Sequence, residues 1–69
     1  MAKKKIGSKY WADSYVVLKN GTKIYLEEDF YDLKDQMNSN SKTVTLEISN
    51  KDESIVIKKK KIESYGEVF

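Results

Sequence analysis

The sequence predicts a small α+β domain in which two β-hairpins flank one short helix, ββαββ, with a fifth short strand to follow; the alternative is a small SH3- or Sm-like barrel. Three observations lead there. Residues 15–26, YVVLKNGTKIYL, place Asn20-Gly21 between two apolar runs, a strong hairpin signal because a type I′ turn requires positive φ at both central residues. Residues 27–38 change to helical spacing, and residues 43–57 return to alternation about a polar turn.

Taken in order, residues 1–9 read as a flexible basic tail, with Lys3, Lys4 and Lys5 ahead of a Gly7-Ser8 joint, and residues 10–69 as the domain. Tyr10 and Trp11 begin the ordered part, either packing at one end of the core or offering a stacking surface. A two-residue loop at Asn20-Gly21 sets Val17 opposite Ile24 and Tyr15 opposite Leu26, so these four residues form the expected core face. Val16, Leu18 and Tyr25 then point the other way, to be covered by other elements or left as an association surface.

In the next segment Phe30, Leu33 and Met37 form an apolar helical stripe. Asp29 is the expected N-cap, and Glu27, Glu28 and Asp32 suit the positive end of the helix dipole. After a polar loop, Val44, Leu46 and Ile48 alternate with Thr43, Thr45 and Glu47. Residues 50–53 make a turn that pairs Ile48 with Ile55 and Leu46 with Ile57. Ile57 and Ile62 are an odd number of residues apart, so a bulge or short turn within the four lysines 58–61 must reset the phase. Residues 62–69 supply the last strand, with a bend near Tyr65 and Gly66.

At 69 residues the chain holds one core of marginal size, and the absence of Cys and His rules out disulfides and the usual zinc sites. Self-association is the remaining aid to stability. All thirteen basic residues are lysine, and proline is missing too; this composition suits the AT-rich coding of a low-GC bacterium or its phage. Without arginine there is no guanidinium fork for reading guanine edges, which argues against sequence-specific DNA recognition. The net charge of +2 is segregated: residues 1–26 carry +5, residues 27–35 carry −4, and residues 58–69 carry +2. No early apolar run resembles a signal peptide and no stretch approaches the roughly 20 apolar residues of a membrane span, so a cytoplasmic protein without a membrane partner is expected.

The residues for catalysis are scarce. No serine lies in a nucleophile motif beside a base, and Asp29, Asp32 and Asp35 recur at a spacing that a solvated helix face also produces. Gly7, Gly21 and Gly66 are too scattered for a phosphate loop, and the Asp-rich segment lacks the calcium-loop pattern. The expectation is a non-enzyme with no metal, no cofactor and no small-molecule substrate.

Residues 16–24, VVLKNGTKI, resemble the first hairpin of Sm-like and bacterial Hfq-type proteins. Residues 55–59, IVIKK, followed by Ile62, look like that family's closing strands, and residues 35–38, DQMN, are similar to its acidic, apolar and Asn positions. The resemblance implies a small RNA-binding ring whose basic turn between the closing strands meets the RNA. The stretch from Gly21 to Asp35 is longer than the family's and holds the expected helix.

The leading functional expectation is a non-catalytic protein-binding or regulatory module, its contacts made by Val16, Leu18 and Tyr25 and by the acids Asp29, Asp32 and Asp35. The alternative is a nucleic-acid binder of low sequence specificity. It would use Lys3, Lys4, Lys5, Lys58, Lys59, Lys60 and Lys61 on phosphates, with Tyr10, Trp11 or Tyr65 stacking on bases. A third reading is a structural subunit of a homomeric assembly.

Overall fold

The computed structural model describes residues 4–50 and 53–68. Six strands and one helix follow in the order β1 (Lys5–Ile6), β2 (Ser14–Leu18), β3 (Lys23–Leu26), α1 (Phe30–Met37), β4 (Thr43–Glu47), β5 (Ser54–Lys58) and β6 (Ile62–Glu67). Short 3-10 turns, Lys9–Trp11 and Lys59–Lys61, precede β2 and β6. The strands form a four-stranded sheet, β1-β3-β2-β6, and a separate β4-β5 hairpin. The small α+β domain is therefore the observed class, and among the described residues no closed barrel forms, since β5 and β6 each pair along one side only. The sheets meet at a corner, where Leu26 bridges Ile48 and the Glu27 N–H donates to the Glu47 carbonyl at 2.9 Å.

The first hairpin is where expected, but its register is shifted by one residue. Val16 faces Ile24 and Tyr15 faces Tyr25, so the loop is residues 19–21 rather than Asn20-Gly21 alone. Only Gly21 takes a positive φ, at 93°. Asn20 instead uses its side-chain carbonyl to accept the Thr22 N–H at 2.9 Å, a three-residue loop closed by the Leu18 N–H on the Thr22 carbonyl. A one-residue slip of one strand sends all of that strand's side chains to the opposite face, and here β2 changes face while β3 keeps the expected one. Val16, Ile24 and Leu26 are therefore in the core, and Tyr15 and Val17 are half-buried outside it. Ser14 also falls on the core face, fully buried, with its hydroxyl donating to the Glu28 carbonyl at 2.6 Å. Tyr15 pairs across the strands with Gly66, whose missing side chain leaves room for the ring.

The second hairpin keeps the expected face but slides by two residues, pairing Leu46 with Ile55 and Val44 with Ile57. Ile48 is thereby freed to bridge β3 at the corner. The turn expected over residues 50–53 lies partly outside the described residues. Helix α1 begins as expected, with the Asp29 carboxylate accepting the Asp32 N–H at 2.9 Å. Eight helical residues are too few to be stable alone, and Leu33, fully buried, docks the helix on the core with half-buried Met37 beside it.

The lysine-run turn that resets the phase is present at Lys59–Lys61, and β6 then pairs with β2 with an irregularity that leaves Glu63 unpaired between the Leu18–Ile62 and Val17–Ser64 pairs, passing through Tyr65 and Gly66 without the expected bend. The segment expected to run as a free tail through Lys9 is tied to the domain from Lys4 onward. β1 pairs parallel with β3, the Lys23 N–H donates to the Lys4 carbonyl, and buried Ser49 exchanges two hydrogen bonds with Ser8, at 2.6 and 2.8 Å. Gly7 permits this approach, since its φ is +84° and a Cβ there would lie 2.7 Å from the Tyr25 carbonyl oxygen.

Candidate functional site

The registers place charge at opposite ends of the main sheet. β2, β3 and β6 span the same two ends, and β1 runs parallel to β3. At one end lie Lys4 and Lys5, the loop residue Lys19, and the lysine turn that leads into β6, where the Lys19 N–H donates to the Lys61 carbonyl at 2.9 Å. Lys42 joins them, because its carbonyl accepts the Lys59 N–H, also at 2.9 Å. The other end carries Asp13, Glu67 and the acids 27–29 that lead into α1. From Asp13 to Lys19 the rise along β2 is about 20 Å.

Two clefts open on the lysine end and share Lys60. One, of about 830 Å³, is lined by Lys42, Lys58, Lys59 and Lys60 together with Met37 and Ser39. The other, of about 380 Å³, lies between Lys60, Lys61, Lys19 and Leu18. Among the described residues no carboxylate lines either cleft, although Glu63 follows closely on β6. Lys58, Lys60 and Lys61 are exposed. Lys59 differs, being half-buried, with its ammonium donating to the Ser39 carbonyl at 2.6 Å and to the Ser39 hydroxyl at 3.2 Å. It ties the turn to the C-terminal end of α1, where a cation also suits the helix dipole.

Several candidate residues fall elsewhere than expected. Val16 is fully buried and Tyr25 is 5% exposed, while Leu18 packs half-buried against the core and lines the smaller cleft, so these three residues do not form one open apolar face. Asp29 is engaged as the helix cap, whereas Asp32 and Asp35 are exposed on α1. Tyr10 and Trp11 are 85% and 60% exposed and touch each other edge to face at 5.1 Å, so they do not pack in the core. They precede β2 at the acidic end, and the structure thereby separates Trp11 from the lysines it was grouped with. Tyr65 is half-buried, stacked on Phe30 at 5.9 Å. Lys3 lies outside the described residues. Lys19 and Lys42, missed in the sequence as isolated loop lysines, join the cluster only through the backbone pairing.

One carboxylate is clearly perturbed. Burial raises Glu28 above the ordinary value of 4.5, against hydrogen bonds from the Glu47 N–H at 3.2 Å and Gln36 Nε2 at 2.8 Å that pull the other way. Gln36 also lies along the outer edge of β4, its Oε1 accepting the Thr45 N–H at 2.9 Å and its Nε2 donating to the Thr45 carbonyl at 3.0 Å. These groups are structural, and among the described residues no three acids, cysteines or histidines cluster as a metal site. No described helix is long and apolar enough to cross a membrane.

No protein-family model matches the sequence, and neither a curated protein nor a solved structure matches it. The Sm-like resemblance of the hairpins does not extend to the architecture, since α1 intervenes and the strands do not close.

Proposed function

We propose that the lysine end binds nucleic acid through its phosphates without reading sequence. The observation that supports this reading is the convergence of Lys19, Lys42, Lys58, Lys60 and Lys61, drawn from separate segments, around two clefts free of carboxylates. Ammonium groups neutralise phosphates as point charges, and a chain with no arginine has no planar fork with which to choose bases. Protein binding through the first hairpin, the leading expectation from sequence, loses its support because its apolar residues are buried.

The test is an anisotropy titration with a labelled single-stranded oligonucleotide of mixed sequence. With about four phosphates engaged, log K should fall against log salt with a slope of roughly −3. The double variant Lys60→Glu/Lys61→Glu should lose at least about tenfold in affinity, while Lys34→Glu on α1 and Trp11→Phe should change it little. Equal losses in all three variants, or no binding at low salt, would remove the proposal.

A further inference from the structure

We propose that two copies of this chain form a two-fold dimer by antiparallel pairing of β5 with β5, centred on Val56. The β4-β5 hairpin has two outer edges, treated differently. On β4, Gln36 takes the N–H and C=O of Thr45, Glu28 accepts the Glu47 N–H, and Glu27 donates to the Glu47 carbonyl. Thr45 thus turns its main chain away from β5, so Thr45 and Val56 face each other as a non-hydrogen-bonded pair. By the same alternation Ser54, Val56 and Lys58 direct their N–H and C=O groups to the open side of β5. Among the described residues nothing hydrogen-bonds to that side. Val56 is 66% exposed on the hairpin's outer face, and Ile55 and Ile57 on the opposite face reach the core only half-buried.

The strand is complementary to itself. Antiparallel pairing about Val56 sets Ile55 beside the second copy's Ile57 and Ser54 beside its Lys58, and it brings Glu53 to the other copy's lysine turn. Opposite charges therefore meet at both ends of the ladder. Centring the axis on Lys58 would place two lysines directly opposite, and centring it on Ser54 would carry most of the ladder beyond the N-terminal end of β5. The pairing would complete a four-stranded sheet, β4-β5-β5-β4, with its outer edges already blocked by Gln36 and Glu28.

Sedimentation velocity of the full chain from about 1 µM to about 1 mM tests this. The expected result is a shift from the 8.0 kDa monomer to a species of twice that mass and no further. Val56→Pro removes an N–H that β4 does not use, and Val56→Lys places two ammonium groups across the axis. Each should raise the dimer dissociation constant by at least about tenfold. If circular dichroism shows the proline variant unfolded, the lysine variant decides. Exchange of the Val56 amide should slow with concentration in the unmodified chain. A monomer throughout, a larger assembly such as β5-to-β6 pairing would build, or dimers unchanged in the Val56 variants would overturn the proposal.

Discussion

Glu28 shows how one side chain can hold two elements together at an electrostatic cost. Its carboxylate accepts from Glu47 on β4 and Gln36 on α1, yet burial dominates and favours the neutral form. The folded state therefore binds more protons than the unfolded state between pH 4.5 and the raised folded value. This component of stability is fully present below that window and is lost as pH rises through it. Glu28→Gln carries no titrating group, so its stability relative to the unmodified chain should improve as pH rises from about 4 to about 7. Urea unfolding at both pH values measures the difference, and parallel profiles for the two proteins would contradict the assignment.

At the scale of the element, Gln36 does for β4 what a neighbouring strand would do. Gln36→Ala should destabilise the domain by about 1–2 kcal/mol, with the Thr45 amide exchanging faster while Val44 and Leu46, paired to β5, keep their protection. Urea denaturation and residue-resolved hydrogen exchange check both parts. The same element illustrates what the sequence reveals. The cap at Asp29, the stripe through Leu33 and the phase reset in the lysine run were legible because each is a local pattern. The first hairpin was legible in place but not in register, since Asn20-Gly21 serves a two-residue or a three-residue loop equally well. β1 was not legible, because two residues carry no periodicity and the pairing partner lies some eighteen positions away. The lysine end was half legible. The run at 58–61 is plain, but Lys19 and Lys42 join it only through pairings between distant segments.

For the whole molecule, the arrangement of charge matters more than its sum. The acids near Glu67 stand about 20 Å from the lysine turn along the sheet, some two screening lengths at physiological salt. Lys61→Gln should therefore slow association with an oligonucleotide about threefold, whereas Glu67→Gln, which changes net charge by the same amount, should alter the rate by much less. Stopped-flow mixing at low and physiological salt distinguishes the two, and equal and opposite effects would show that only net charge counts. On the proposed reading, the end-to-end polarity of one copy also sets how it would stand on a polyanion. The polyanion would turn a single copy lysines inward, with its carboxylate end outward, whereas the two-fold pair would carry a lysine turn at each end of the shared sheet. Single copies would therefore saturate a strand at one layer, and two-fold pairs would link one strand to another.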